Sequence, residues 1–191
     1  MINHDEAKSQ SQNLHDEADK LLFETGLSDL LGRYGVVHLG GSYEYDLLVD
    51  RDLDFGVAVK EMTPELRSEI VGTFAVQKWA YSVNLTDRIN FEPLSSLGAP
   101  RGLYLGLTIP FPRERWNVDV WFTLGYEIPS DEIASKVSRA TKEQRQIILS
   151  IKYELMKSDK KTKGVTSTQI YEAVLDSGVR STSEFLESIV S

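Results

Sequence analysis

The sequence predicts an α/β protein in which a mixed β-sheet core with flanking helices is followed by a helical C-terminal part. Short runs rich in β-branched and aromatic residues recur between positions 36 and 124 and are separated by turn signals and one helical pattern. After position 126 the hydrophobic residues recur only at helical spacing. We therefore expect a polar N-terminal arm at 1–13, a core at 14–126 and a C-terminal helical region at 127–191.

The N-terminal segment divides into a polar stretch and a helix. Residues 1–13 are polar and without period, which predicts a frayed or disordered arm. Leu14, Ala18 and Leu21 then recur at helical spacing, and Gly26 is placed to end that helix. A second short helical turn follows before Gly35.

The core is predicted to alternate strands with a helix. A short strand ends at Gly40, and Thr63-Pro64-Glu65 is a helix start, because Thr caps well, Pro is tolerated at the first position and Glu favours the positive helix end. The turn-rich segment 87–100 is left unassigned. Further β-like runs lie at 52–59, 79–85, 102–110 and 116–124.

The C-terminal part carries helix signals and a linker. Ser130-Asp131-Glu132 is a cap signal, and residues 141–157 place Ile and Leu at helical spacing. The hydrophilic run at 158–168 predicts a linker, which a final pair of helices follows.

The charge balance argues against a long nucleic acid as partner. The chain has 29 acidic and 21 basic side chains, a formal net charge of −8 and a sequence pI of about 5.0. Sequence-independent binding to nucleic acid needs a basic surface that releases counterions from phosphates. A cationic or metal-bound small partner suits this balance better.

Cysteine usage and hydropathy exclude several other classes. There are no cysteines, so there is no disulfide framework, zinc-thiolate site or thiol catalysis. The N-terminus has neither a basic start nor an apolar stretch, and no apolar run approaches the ~20 residues needed to cross a bilayer. We expect a cytoplasmic protein with no membrane partner.

The stretch HLGGSYEYDLLVDRDLDFGV, from His38 to Val57, concentrates candidate chemistry. If a helix begins after Gly40-Gly41-Ser42, the free N–H groups of its first turn and the Ser42 hydroxyl form a phosphate site. A tight turn is the commoner role of such a sequence. The intervening YEYDLLVDR predicts a short, mostly structural helix with Asp46 and Asp50 as surface charges.

Three further aspartates predict a metal site. Asp52 and Asp54 alternate on a strand, so both carboxylates lie on one face, about 7 Å apart along it. Two such charges repel unless a cation binds between them, and hard oxygen ligands suit Mg²⁺ or Mn²⁺. Asp119 interrupts the apolar run WNVDVWF. It either marks the solvent face of an edge strand or, on a strand beside Asp52 and Asp54, completes a three-carboxylate cluster.

This combination resembles the nucleotidyltransferase superfamily of the DNA polymerase beta type. The elements that carry the resemblance are Gly41-Ser42 after a strand, then Asp52-Leu53-Asp54-Phe55 on the next strand, then Asp119 on a later one. They cover residues 36–122, less than half the chain. Many members have Ser before the first aspartate, where this chain has Arg51.

The resemblance implies transfer of a nucleoside monophosphate from a nucleoside triphosphate to a hydroxyl, with release of pyrophosphate. It implies that Asp52, Asp54 and Asp119 hold the metal ions, that Asp119 also helps to deprotonate the acceptor, and that Gly41 and Ser42 hold the β and γ phosphates. Lys152 is a further candidate for a triphosphate contact.

The small size and acidity of the chain favour a small-molecule acceptor, such as an aminoglycoside-like compound or a metabolite. Two other readings stay open. In the first, the chain is a nucleotide-binding or regulatory module, such as an antitoxin-like protein that modifies or binds a partner protein. In the second, the acidic stretch is a plain surface loop and Asp119 lies far from Asp52.

Overall fold

The computed structural model describes residues 4–90, 101–125, 132–158 and 164–189. It confirms the predicted fold class, a mixed sheet with flanking helices followed by helices. The elements, in chain order, are α1 (His4–Thr25), α2 (Leu27–Gly32), β1 (Val36–Gly40), α3 (Gly41–Glu44), β2 (Asp52–Val59), α4 (Pro64–Ala75), β3 (Ser82–Asp87), β4 (Gly102–Pro110), β5 (Arg115–Leu124), α5 (Glu132–Arg139), α6 (Lys142–Lys157), α7 (Ser167–Leu175) and α8 (Thr182–Ser188).

The chain divides into two compact units. The helical unit comprises Met1–Glu17, Ser42–Asp50 and Ser130–Ser191, and the sheet unit comprises Ala18–Gly41 and Arg51–Pro129. The predicted boundary at 126/127 lies outside the described residues, so it stays a prediction.

Within the described residues the sheet unit forms one sheet of five strands, in the order β1-β2-β5-β4-β3. β2 and β5 are parallel, and the other neighbouring pairs are antiparallel. A parallel pair needs a crossover connection, which here contains α4, β3 and β4. β2 is therefore paired on both sides, as its sequence predicted.

One face of this sheet is buried and the other is open. Leu53, Phe55 and Val57 on β2 are at most 2% exposed, and the polar or small residues between them are more accessible. The Tyr34 ring packs against Phe74 of α4 and edge-on against the buried phenylalanine of β5. Burying each large apolar side chain is worth about 1.5–3 kcal/mol. The other buried side chains of β4 and β5 are Leu103, Leu105, Leu107, Ile109, Trp116, Val118, Val120 and Phe122.

The helical unit has its own apolar core. It buries Ile148 and Ile151 of α6, Val174 of α7 and Phe185 of α8. Helix α6 begins at a capping box in which Thr141 and Gln144 satisfy each other's backbone N–H groups. The predicted helix over 141–157 and the final helix pair are confirmed. The predicted cap at Ser130-Asp131 and part of the predicted linker, residues 159–163, lie outside the described residues.

The predicted disorder of the N-terminal arm is wrong from His4 onward, where α1 already begins. Ala7, Ser11 and Leu14 are at most 5% exposed and lie at spacings of four and three, which forms one buried stripe. The small apolar and hydroxyl residues of this stripe did not stand out among their polar neighbours.

The predicted helix over YEYDLLVDR is also wrong, since α3 ends at Glu44. Asp46 has a left-handed backbone (φ 56°), which interrupts a right-handed helix. Leu47, Leu48 and Val49 are then all buried. The chain at 47–49 therefore continues as a buried segment without regular secondary structure.

Among the described residues no helix has the length and hydropathy that crossing a membrane requires.

Candidate active site

The open face of the sheet brings two of the predicted carboxylates together. β2 and β5 pair in parallel with Asp54 opposite Asp119 and Asp52 opposite Asn117. Registered residues of neighbouring strands share a face, and their strands lie about 4.8 Å apart. Asp119 is therefore on the strand beside Asp52 and Asp54, which rules out the reading in which it lies far from them.

Accessibility separates the three carboxylates from the core. Asp54 is exposed, and Asp52 and Asp119 are partly exposed. The residues that alternate with them, Leu53 on β2 and Val118 on β5, are fully buried. The same strands thus anchor the sheet with one face and present carboxylates on the other.

Asp119 is held by Tyr104 of β4. The Tyr104 hydroxyl donates a 2.7 Å hydrogen bond to Asp119 Oδ1. Burial, this hydrogen bond and the negative charges of Asp119 and Asp52 raise the pKa of Tyr104 well above its usual value near 10. Tyr104 therefore keeps its proton at neutral pH and acts as a donor to Asp119.

Gly41 lies against Asp54. Its φ of 65° is in the left-handed region that glycine adopts without strain. A Cβ at this position would collide with Asp54 Oδ2 and lie 2.9 Å from Asp54 Cγ. The absence of a side chain at position 41 is therefore needed for the carboxylate to occupy its place.

The chemistry of these donors fits a hard divalent ion. Carboxylate oxygens on one open face are the ligands that Mg²⁺ and Mn²⁺ prefer. As the side chains stand, no three His, Cys, Asp or Glu residues in the described ranges are grouped closely enough to hold an ion. The register places Asp54 opposite Asp119, and a metal site at these residues and Asp52 stays a prediction.

Ser42 lies in the helical unit, where its hydroxyl meets a buried lysine. Lys152 is 6% exposed, and its ammonium donates 2.7 Å hydrogen bonds to Ser42 Oγ and to the Leu47 carbonyl. The Tyr171 hydroxyl lies 3.1 Å from Ser42 Oγ. Ser42 thus belongs to a polar group with a buried positive charge.

The sequence did not reveal two residues that contact the predicted site residues: Tyr104, which contacts Asp119, and Tyr171, which contacts Ser42. In the sequence, Tyr104 is one of several aromatic residues in the β-like runs. Its place among the small residues Gly106 and Thr108, alternating with leucines, was the signal that it lies on the open face. Tyr171 carried no comparable signal, since it falls within an ordinary apolar helix pattern.

Comparison with known proteins supports the fold. The structure of the non-canonical poly(A) polymerase complex GLD-2–GLD-3 matches with a TM-score of 0.51 and 14% sequence identity over 88% of this chain and 57% of that chain. The GLD-2/RNP-8 complex matches with a TM-score of 0.49 and 14% identity over 90% of this chain and 58% of that one. The chain thus spans less than two thirds of the length of these neighbours.

No family model and no curated protein matches the sequence. The chain shares its fold with the GLD-2–GLD-3 poly(A) polymerase structure. The resemblance drawn from residues 36–122 is confirmed at the level of the fold.

Proposed function

We propose that this protein is a metal-dependent nucleotidyltransferase that moves a nucleoside monophosphate from a nucleoside triphosphate to a hydroxyl of an acceptor. The observation that carries the proposal is the parallel register of Asp54 with Asp119 on the open face of a sheet that has the nucleotidyltransferase fold. Adjacent carboxylates repel each other, and a divalent ion relieves that repulsion.

Asp52, Asp54 and Asp119 would hold Mg²⁺ or Mn²⁺. A bound ion supplies charge neutralisation at the triphosphate and stabilises the entering and leaving oxygens. The chain's own residues orient the reactants, which is the main protein contribution to phosphoryl transfer.

The transfer step needs a base at the acceptor. The acceptor oxygen forms a bond to the α-phosphorus, and the bond from that phosphorus to the oxygen bridging to the β-phosphate breaks. Pyrophosphate leaves with the electron pair of the broken bond. In this proposal the acceptor's proton passes to the carboxylate of Asp119, which Tyr104 holds by a hydrogen bond.

Gly41 and Ser42 are proposed to hold the β and γ phosphates, with Lys152 supplying positive charge. This assignment is supported by the 2.7 Å contact of the Lys152 ammonium with Ser42 Oγ. A cation and a hydroxyl together match the oxygens of a phosphate.

Replacing Ser42 with Ala is expected to raise the KM for the nucleoside triphosphate about 10- to 100-fold and to change kcat little. The hydroxyl contacts phosphates in ground state and transition state alike, and a hydrogen bond to a charged group is worth about 1.5–3 kcal/mol. Ser138→Ala, an exposed serine of α5, is the control. An unchanged KM in Ser42→Ala, with the protein folded, would remove Ser42 from the phosphate site.

The acceptor is proposed to be a small hydroxyl compound, and a cationic one is favoured by the net charge of −8. The competing candidate is an RNA 3′-hydroxyl, since one structure that shares the fold is that of a poly(A) polymerase complex. The acidity of the chain argues against RNA, which requires a basic surface.

The test is to incubate the protein with each nucleoside triphosphate labelled at the α-phosphate, with Mg²⁺ or with a chelator. Separate reactions contain an aminoglycoside pool, a pool of hydroxyl metabolites, an oligoadenylate RNA or a protein extract. We expect label on a small compound, pyrophosphate release in step with it, and loss of both with the chelator. Label on RNA or on a protein would show that this macromolecule, and not a small compound, is the acceptor. The absence of labelled product from every reaction would refute the proposed activity.

A further inference from the structure

Gly106 and Tyr104 lie on β4, the strand that pairs with the Asp119 strand β5. Gly106 is the register partner of Asp119 on β4, and Tyr104 lies two residues earlier on the same face. The Tyr104 hydroxyl reaches past Gly106 and donates its 2.7 Å hydrogen bond to Asp119 Oδ1.

The missing side chain at Gly106 makes this reach possible. A Cβ there would lie 2.8 Å from the Tyr104 hydroxyl oxygen and 3.2 Å from Tyr104 Cζ. Atoms that close would push the end of the ring away, and with it the hydroxyl. Glycine weakens a strand interior, so its presence in β4 calls for a local reason, and close approach of another group is the usual one.

The Tyr104 ring is also held from the side. Its centroid lies 5.0 Å from that of Trp121, its partner across β4 and β5. The guanidinium of Arg88 lies over the Trp121 ring at 5.2 Å from its centroid. A ring packed in this way has few alternative rotamers, so its hydroxyl is a fixed donor.

We propose that Tyr104, with Gly106 beneath its hydroxyl, is a positioning residue that fixes the orientation of the Asp119 carboxylate. The hydrogen bond to Oδ1 restrains rotation of the Asp119 carboxylate and so fixes the direction in which its oxygens face the open side of the sheet. This inference rests on the proposed function. A base that is misplaced by about 1 Å loses about a hundredfold in rate.

The kinetic test compares Tyr104→Phe, Gly106→Ala and the double variant with wild type, using the acceptor that the labelled-nucleotide reactions identify. Each single variant is expected to lower kcat about 10- to 100-fold with little change in the KM for the nucleoside triphosphate. The kcat of the double variant is expected to be no lower than that of the less active single variant, because Phe lacks the hydroxyl that the alanine displaces.

Two matched controls accompany these variants. Tyr81→Phe removes the hydroxyl of an exposed tyrosine. Gly56→Ala adds a Cβ on β2, which pairs with the other edge of β5, at a place where nothing lies within 4 Å. Both are expected to keep wild-type kcat. A wild-type kcat in Tyr104→Phe, or losses that multiply in the double variant, would overturn the proposal.

A second readout does not depend on activity. Urea unfolding without metal is compared for Tyr104→Phe in the wild-type background and in Asp119→Ala. We expect Tyr104→Phe to lower the midpoint in the wild-type background. In the Asp119→Ala background it should leave the midpoint unchanged, because the partner of the hydroxyl is already absent. Equal shifts in both backgrounds would show that the hydroxyl does not act on Asp119.

The two readouts separate failure of this inference from failure of the proposed function. An inactive wild-type protein whose unfolding midpoints still show the coupling would overturn the function and keep the Tyr104–Asp119 link. An active wild-type protein with an unaffected Tyr104→Phe would overturn the positioning role alone.

Discussion

Replacing Asp54 with Asn is expected to lower nucleotidyl transfer by about a thousandfold or more, equivalent to roughly 4 kcal/mol of transition-state stabilisation. The amide keeps the size and shape of the carboxylate and removes the charge that would hold a divalent ion. Asp54 is exposed on the open face, so the substitution removes no side chain from the apolar core. The measurements are kcat/KM with saturating Mg²⁺ and the urea midpoint without metal. That midpoint should equal or exceed the wild-type midpoint, because the substitution removes one of the repelling charges.

The matched control lies in the same acidic stretch. Asp50 is exposed and precedes β2, and Asp50→Asn makes the same chemical change four positions earlier. It should keep wild-type kcat/KM. Equal activity in both variants, or an activity loss in Asp54→Asn that merely follows unfolding, would contradict a metal-holding role for Asp54.

Replacing Gly41 with Ala is expected to have the second largest effect, a loss of activity of about a hundredfold or more together with lower stability. The left-handed backbone at position 41 costs an alanine about 1–2 kcal/mol. The new Cβ also collides with Asp54 Oδ2, so the carboxylate has to leave its place. A displacement of about 1 Å at a reacting group is enough for this loss of rate.

Gly26→Ala separates the two causes. Gly26 has nearly the same φ, 61°, but nothing lies within 4 Å of a Cβ built there. It is expected to lower the free energy of unfolding by a similar 1–2 kcal/mol and to leave kcat/KM unchanged. The result that would contradict the argument is Gly41→Ala with activity like that of Gly26→Ala, since the Asp54 carboxylate would then tolerate the added methyl group.

The sequence was most informative where the structure is local. The start of α4 at Thr63-Pro64 and the capping box at Thr141 follow from residues within one turn of the helix start. The shared face of Asp52 and Asp54 follows from the two-residue period of a strand, which holds whatever the neighbouring strands are. Local signals failed where tertiary packing prevailed over them, as in the start of α1 at His4 and in the buried irregular segment at 47–49.

The candidate site needed more than local signals. The sequence by itself determined which residue types are present and that Asp52 and Asp54 lie on one face, because side-chain direction in a strand depends only on position along it. The tertiary structure alone decided that Asp54 pairs with Asp119, that Tyr104 reaches Asp119 over Gly106, and that Ser42 meets Lys152 from 110 positions away. These contacts depend on strand order and helix packing. Both arise from burial of the apolar surface of the whole chain, so no short segment of sequence determines them.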